Sequence, residues 1–357
     1  MAQYQPAPRR APHSLSNDSA NYVAMKGAES IFLVEAIPWH LDDGREPTPG
    51  FKRDCKNMYN ELADQVQLQT EEAKDGTGSS KRPREASSSQ SKNKQKGISI
   101  RADETSKNKQ KGVSMGITAG TKERYSTGFA IARDSPSGER LRILTCAHIF
   151  EDLYKKGMHT LTKENIEKMF KISVICVHQQ REVLARDSPL PPSRRLKQPT
   201  LATVFAVDTE KDLLVLEINI GYLCLFSGTQ PTEYCMFDNP PICVAPRPPQ
   251  IREEVVLLGW PPQRSESSSS GNVSFPNRTY DMVCDLEFNM KGYTMTLMEI
   301  DKLLCAHGYS GGPVLNTVVQ LVGTYHGIIE KKGYSVSLED INQFLTQFGV
   351  MTHWPDE

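Results

Sequence analysis

The chain has 357 residues with 42 basic and 43 acidic side chains, and its net charge of −1 points to no strongly charged partner. The length predicts one to three domains. The apolar share of 38% predicts a globular part joined to a more polar one. The first residues hold no apolar leader, and no run of about 18 apolar residues occurs. We therefore expect neither a secretory signal nor a membrane-spanning helix.

The eight cysteines show no Cys-x-x-Cys spacing. Without a leader, this pattern favours free thiols in a reducing compartment. We expect an intracellular protein of the nucleus or the cytoplasm. Arg9 and Arg10 lie in a seventeen-residue stretch without an acid, which keeps an organelle open.

Residues 1–72 are predicted to form an N-terminal extension. Its first 28 residues are rich in Pro, Ala, Asn and Ser without a clear period, which indicates a disordered tail. The apolar run within residues 29–44 predicts a short strand or an interaction segment. Residues 52–72 carry apolar side chains at near-helical spacing and predict a short helix.

Residues 73–116 are predicted to be a basic, Ser- and Lys-rich disordered linker, because they lack the large apolar side chains that a core needs. A ten-residue pattern starting at Ser91 recurs at Ser106. The run that begins at Lys81 resembles a bipartite nuclear import signal, and a solvated linker is the alternative. We expect no nucleic-acid partner beyond non-specific contact through residues 81–111.

Residues 117–350 are predicted to form the globular domain, followed by a short tail at residues 351–357. Many short apolar segments separated by Gly, Pro, Asp and Ser predict a mostly β fold with an antiparallel sandwich or barrel. Helices are predicted at residues 162–170 and 338–345, the latter capped by Ser337. The Ser-rich residues 266–271 are predicted to be a loop.

Ser310 lies in the glycine-rich run 308–313, Gly-Tyr-Ser-Gly-Gly-Pro. Glycines beside a serine allow a tight turn, and the N–H groups of Gly308 and Ser310 can then point into one small pocket. A serine that attacks a carbonyl needs such donors for the developing oxyanion and a base for its proton. The alternative is an ordinary glycine-rich turn.

His148 follows an apolar strand, and Asp212 directly precedes another. Each alone is compatible with a structural role, and Asp208 is a rival to Asp212. The order His, Asp, Ser, with spacings of 64 and 98 residues from His148 to Asp212 to Ser310, favours a catalytic triad.

Four segments together resemble the trypsin-like peptidase family, particularly its high-temperature-requirement (Deg) branch. They are residues 126–129 (Ser-Thr-Gly-Phe), 144–149 (Leu-Thr-Cys-Ala-His-Ile), 212–218 (Asp-Leu-Leu-Val-Leu-Glu-Ile) and 308–314 (Gly-Tyr-Ser-Gly-Gly-Pro-Val). The resemblance covers roughly residues 117–350. It leaves out the peptide-binding module that commonly follows the peptidase domain in the Deg branch.

The resemblance implies a double six-stranded antiparallel β-barrel with the site between the barrels. It also implies an intracellular serine endopeptidase with Ser310 as nucleophile, His148 as general base and Asp212 as the group that orients the imidazole. Gly308, Tyr309 and Ser310 would form the oxyanion hole. No cofactor and no metal are implied, the substrate is a polypeptide, and a homo-oligomer stays open.

The specificity pocket is expected between residues 303–305 and residues 322–326. Leu304 stands six residues before Ser310, where an acid would favour Arg or Lys, so we expect a small or medium apolar substrate side chain. His307 and His326 are predicted to be structural or surface histidines. Cys146 and Cys305 are predicted to be buried apolar groups rather than redox groups.

Two other functions are compatible with the sequence. One is a catalytically weak or inactive protein that uses a peptidase fold for binding. The other is a nuclear factor in which the basic segment dominates.

Overall fold

The computed structural model describes residues 17–41, 53–58, 60–61, 64, 124–133, 139–157, 161–177, 199–223, 239–261, 267–284 and 289–350. These residues form thirteen β-strands in two antiparallel sheets, which confirms the mostly β prediction. The basic linker at residues 73–116 and the tail at 351–357 lie outside the described residues, as do residues 1–16.

The first sheet has seven strands in the order β5-β4-β1-β2-β3-β7-β6, each antiparallel to its neighbours. Most apolar side chains of these strands are almost fully buried. The strands are β1 (Ile31–Pro38), β2 (Arg124–Arg133), β3 (Arg140–Thr145), β4 (Phe170–Cys176), β5 (Thr200–Leu201), β6 (Thr203–Asp208) and β7 (Leu213–Asn219).

Only Ala202 separates the two edge strands of this sheet, β5 and β6. Its N–H donates to the carbonyl oxygen of Ile172 on β4, at 2.9 Å, while β6 pairs with β7 on the other side. The sheet is therefore a half-barrel whose two edges meet at a single residue. It takes the place of the first six-stranded barrel predicted from the sequence, with seven strands and an open form.

The second sheet is a closed six-stranded barrel in the order β10-β13-β12-β11-β8-β9. Its strands are β8 (Glu254–Gly259), β9 (Ser267–Thr279), β10 (Thr296–Asp301), β11 (Pro313–Leu315), β12 (Leu321–Ile329) and β13 (Lys332–Ser337). The predicted loop at residues 266–271 was wrong, because β9 starts at Ser267 and Ser269 is buried. The Ser269 hydroxyl accepts a hydrogen bond from the N–H of Leu304 at 2.8 Å.

The N-terminal extension contributes directly to both sheets. Helix α1 (Asn17–Ala28) packs on β8, so the predicted disordered tail is wrong for residues 17–28. Strand β1 confirms the expected short strand and lies between β2 and β4. The sequence assigned β1 to a segment outside residues 117–350, yet β1 is an inner strand of the half-barrel. Residues 42–123 are therefore an insertion between two neighbouring strands.

The remaining helices are short, and they pack on β4 and β6 of the half-barrel or on β9, β12 and β13 of the closed barrel. Helix α2 (Lys163–Met169) begins after Thr162, whose hydroxyl accepts from the N–H of Asn165. Helix α3 (Tyr280–Val283) follows β9, and α4 (Leu338–Gln347) begins at the predicted cap Ser337. Residues 53–58 are also helical. None of the helices described has the length and apolar character required to cross a bilayer.

Candidate active site

His148 and Asp212 meet at the end of the half-barrel. His148 lies in the 3-10 helix Ala147–Leu153, which follows β3. Asp212 ends the turn between β6 and β7. Nδ1 of His148 donates to Oδ2 of Asp212 at 2.7 Å, and the backbone N–H of His148 donates to Oδ1 at 2.7 Å. The carboxylate thus holds both the ring and the backbone of the histidine.

Asp212 has an unusual backbone conformation at this position. Its φ is +57°, in the left-handed region that residues other than glycine seldom adopt. The residue is also fully buried. Its carbonyl oxygen accepts from the N–H of Ala147 at 3.2 Å. Strain of this kind persists where surrounding contacts fix the backbone, and it concentrates at functional sites.

The charges of the pair stabilise each other. Burial alone would lower the pKa of His148, but the charge of Asp212 and its hydrogen bond hold that pKa well above its ordinary value. Burial alone would raise the pKa of Asp212, but His148 and the hydrogen bonds to the carboxylate hold it well below the usual range. Asp212 is therefore an anion at neutral pH and accepts every hydrogen bond that it makes.

A second histidine, His326, binds the same carboxylate oxygen. Its Nδ1 donates to Oδ2 of Asp212 at 2.6 Å. His326 lies on β12 where the pairing with β13 is shifted, between Tyr325 and Gly327. The sequence treated His326 as a structural or surface histidine and missed this contact. The signal available was its place on β12, the second strand after the Ser310 turn.

A shell of buried tyrosines surrounds His326. The ring of His326 meets the ring of Tyr293 edge-on at 5.2 Å between centroids and the ring of Tyr280 at 6.1 Å. The hydroxyl groups of Tyr293 and Tyr154 are 2.9 Å apart and hydrogen-bonded. Burial raises the pKa of both Tyr154 and Tyr293 well above the ordinary value, so the shell stays uncharged. It fixes the histidine without adding a charge.

Thr127 on β2 joins the turn that carries Ser310 to the half-barrel. The N–H of Thr127 donates to the carbonyl oxygen of Ser310 at 2.8 Å, and its hydroxyl donates to that of Gly308 at 2.5 Å. The same hydroxyl accepts from the N–H of Trp260 at 2.7 Å. One side chain therefore connects β2, the end of β8 and the Ser310 turn.

Gly311 brings this turn close to the strand that leads to His148. Its φ is +79°, and a Cβ there would lie 2.4 Å from Thr145 Oγ1 and 2.7 Å from the nitrogen of Cys146. No other residue type fits at this approach. The N–H of Gly311 donates to the carbonyl oxygen of Tyr325, the residue before His326, at 2.8 Å. The Ser310 turn thus contacts the segment that leads to His148 and, through Tyr325, the residue directly before His326.

The backbone N–H groups of the turn differ in their partners. The N–H of Tyr309 donates to the carbonyl oxygen of Ala306 at 3.4 Å. The role of Tyr309 in the oxyanion hole stays a prediction. No hydrogen bond from the N–H of Gly308 or Ser310 occurs within the described part of the chain. The ring of Tyr309 instead packs on Gly259, where a Cβ would lie 2.2 Å from it.

Asp208, the rival acid, has a structural role. Its Oδ1 accepts from the N–H groups of Glu210 and Lys211, both at 2.9 Å, and so caps the turn before β7. Asp212 is the carboxylate that meets His148.

The expected pocket walls have different environments. Val322 and Tyr325 are buried, whereas the side chain of Leu304 is 84% exposed and does not line a closed pocket. The preference for an apolar substrate side chain stays a prediction. His307 is exposed, as expected. The six described cysteines are free thiols, and burial raises the pKa of Cys305.

His148, Asp212 and His326 are the described residues whose ligand atoms converge as a metal site requires, with all three atoms within 4.8 Å of one another. The two N···O distances of 2.6 and 2.7 Å are those of hydrogen bonds. Two ligands of a tetrahedral zinc ion lie about 3.3 Å apart, given bonds of about 2.0–2.1 Å. The cluster therefore fits a hydrogen-bonded network better than a metal centre.

Comparison with protein families identifies the fold. The profile described as "Trypsin-like peptidase domain" matches residues 126–323, which is more than half of the chain. The chain belongs to the trypsin-like peptidase family. It is a serine-type peptidase, a hydrolase that acts on polypeptides.

Among solved structures, the peptidase resembles the active form of the Rv3671c protease from M. tuberculosis, at 14% identity and a TM-score of 0.48. That match covers 100% of this chain and 97% of the other. A match to Deg5 has 11% identity and a TM-score of 0.46, covering 93% of this chain and 95% of the other. Comparison with curated proteins gives no match.

Proposed function

We propose that this serine peptidase is an endopeptidase in which Ser310, His148 and Asp212 form the catalytic triad. The observation that carries the proposal is the 2.7 Å hydrogen bond between His148 Nδ1 and Asp212 Oδ2, beside the turn that presents Ser310. Because Asp212 is an anion, the proton lies on Nδ1, and Nε2 of His148 is left as the basic atom. The N–H groups of Gly308 and Ser310, which have no hydrogen-bond partner among the described residues, form the oxyanion hole.

The reaction follows from these roles. His148 Nε2 takes the proton of the Ser310 hydroxyl while Oγ attacks the peptide carbonyl. The N–H groups of Gly308 and Ser310 donate to the oxyanion that forms. The imidazolium then gives its proton to the leaving amine, and an ester between Ser310 and the substrate remains. Water hydrolyses this ester by the same steps, which restores the hydroxyl.

The charge of Asp212 sets the pH dependence of the reaction. His148 must be neutral to act as a base, and its pKa is held above the ordinary value of 6.5. The protonated, inactive form therefore persists to a higher pH than it would for an isolated imidazole. We expect kcat/KM to rise with pH through a limb that lies above about pH 6.5.

Substitution of Ser310 tests the proposal. The purified full chain is incubated with unfolded casein and with a fluorophosphonate probe, which esterifies an activated serine. Ser310→Ala is expected to abolish labelling and to lower kcat by up to about 10⁶-fold, because the nucleophile is lost. Ser268→Ala is the matched control, since Ser268 is exposed on β9 of the same barrel and should leave labelling unchanged.

Two results would contradict the assignment. Labelling of Ser310→Ala at the wild-type rate would place the nucleophile elsewhere. A wild-type chain that neither reacts with the probe nor cleaves casein would favour the alternative of a binding protein with a peptidase fold.

We also propose an intracellular setting, in the nucleus or cytoplasm. The support is the set of six free cysteines, which is typical of a reducing compartment. Localisation of the tagged chain with and without residues 73–116 tests the nuclear part. An unchanged distribution would argue against a nuclear import signal in that segment.

A further inference from the structure

The carboxylate of Asp212 accepts three hydrogen bonds from the described residues, two from His148 and one from His326. The two partners of Oδ2 are Nδ1 of His148 at 2.7 Å and Nδ1 of His326 at 2.6 Å. An ionised carboxylate has no proton to give, so both Nδ1 atoms must carry one. Two imidazoles of the same tautomer therefore share one buried oxygen.

The two histidines come from different halves of the molecule. His148 follows β3 of the half-barrel, whereas His326 lies on β12 of the closed barrel, 114 residues from Asp212 in the chain. Their rings meet edge-on, with centroids 5.3 Å apart. The bond from His326 is thus a direct link between the carboxylate of one half and β12, the second strand after the Ser310 turn, in the other.

The groups around His326 hold its ring in this hydrogen bond to Asp212. The groups that face its ring are Asp212, His148, Tyr280 and Tyr293. Burial holds the pKa of both tyrosines above the ordinary value, so among the described residues Asp212 is the one anion in contact with the ring at neutral pH. The edge-on contacts fix the plane of the imidazole and aim Nδ1 at the carboxylate.

We propose that His326 is a positioning residue for peptide hydrolysis, which holds the Asp212 carboxylate in the orientation that His148 requires through its Nδ1–H. This inference rests on the proposed roles of His148 and Asp212. His326 shares the charge of Oδ2 that would otherwise act on His148 alone. It therefore moderates the basicity of His148 as well as the geometry of the carboxylate.

Two substitutions separate the hydrogen bond from the packing. His326→Phe keeps a ring against Tyr280 and Tyr293 but cannot donate to Asp212. His326→Asn loses the ring, yet its amide nitrogen stands close to the place of Nδ1 and can donate. Steady-state kinetics of both variants with a peptide substrate are measured from pH 5 to 9, and thermal unfolding of each checks the fold.

The His326→Phe variant is expected to lose roughly 10- to 100-fold in kcat with KM changed less than about twofold, because one hydrogen bond to a charged group is lost. The acid limb of kcat/KM is expected to move up by about 0.5–1 pH unit, since the full charge of Asp212 then acts on His148. His326→Asn is expected to recover most of the rate and the wild-type limb.

A structural role for His326 predicts a different pattern. Equal losses in the Phe and Asn variants without a shift of the limb, or wild-type kinetics in the Phe variant, would overturn the proposal. If the Phe variant does not fold, ¹⁵N-histidine NMR of the wild-type chain tests whether His326 carries a proton on Nδ1. A protonated Nδ1 on His326 at neutral pH is required, and an unprotonated one contradicts the inference. Ser310→Ala, assayed in parallel, separates this outcome from a failure of the triad itself.

Discussion

The half-barrel and the closed barrel contribute to the same site but are assembled from the chain in different ways. The closed barrel runs from Glu254 to Ser337 in one stretch, with only two short undescribed gaps, at residues 262–266 and 285–288. The half-barrel takes β1 from before the long insertion, β2 to β4 from after it, and β5 to β7 from beyond a second gap at residues 178–198. The carboxylate and its first histidine therefore depend on the less continuous half.

Removal of β1 is expected to have the largest effect on the half-barrel. Deletion of residues 1–41 strips α1 and β1 from the chain and leaves β2 and β4 without the strand between them. Phe32, Leu33 and Val34, all fully buried, are lost from the core. We expect no soluble, cooperatively unfolding protein, because exposed strand edges aggregate and the core is left open. Soluble yield and near-ultraviolet circular dichroism measure this.

The matched control removes residues 73–116 and keeps β1. Shortening an insertion changes the entropy of loop closure only slowly, so the melting temperature should stay within a few degrees of wild type. A soluble and active chain without residues 1–41 would show that the half-barrel does not need its N-terminal strand.

Substitution of Glu299 tests what stabilises the closed barrel. This buried carboxylate on β10 binds Lys332, Arg278 and the hydroxyl of Ser274. Burial would raise the pKa of Glu299, but these partners lower it to about 2. The stabilisation is therefore present above the unfolded pKa of about 4.3 and is lost as pH falls toward 2. Glu299→Gln is expected to cost about 2–3 kcal/mol at pH 7 and much less near pH 2.5.

Urea unfolding at the two pH values measures the effect. The control is Glu253→Gln, because Glu253 pairs with an exposed Arg247 and should cost less than about 1 kcal/mol at either pH. An equal loss for Glu299→Gln at both pH values would mean that shape, rather than charge, holds this group.

Thr127 tests the junction between the two halves. Thr127→Val keeps the shape but removes the hydroxyl that donates to Gly308 and accepts from Trp260. We expect a loss of about 1–2 kcal/mol in unfolding free energy and a fall in kcat, because buried partners are left unsatisfied and the Ser310 turn loosens. Thermal unfolding and peptide hydrolysis give the two values.

Thr324→Val is the control for the same chemical change. The Thr324 hydroxyl is buried without a hydrogen-bond partner in the described part of the structure. Its removal should be neutral or slightly stabilising. If both valine variants behaved alike, the Thr127 hydroxyl would not be the link between the halves.

Much of the fold could be predicted because its strands have strong local patterns. The apolar runs of β3, β4 and β7 and the capped helix α4 are visible in the sequence, as is the glycine pattern around Ser310. Strand β9 was missed because two of its three buried positions, Ser269 and Gly271, belong to residue types that are typical of loops. Helix α1 was missed because its composition is that of a tail, and its contact with β8 is a tertiary one.

Prediction of the site residues from the sequence has the same limit, because contacts between distant segments are not visible in local patterns. Ser310, His148 and Asp212 could be proposed because each lies in a recognisable local pattern and their order is informative. His326 could not, because its bond to Asp212 forms only when β12 reaches the turn before β7.

The pairing of β1 with β2 has a consequence for the integrity of the chain. Ala36 on β1 lies opposite Arg124 on β2, so the polypeptide that leaves one strand returns at its neighbour. A single backbone cut between residues 73 and 116 would yield two fragments, and the smaller one would stay hydrogen-bonded between β2 and β4. The peptidase would then be a two-piece protein with an intact site, and electrophoresis under denaturing conditions would reveal the break that gel filtration conceals.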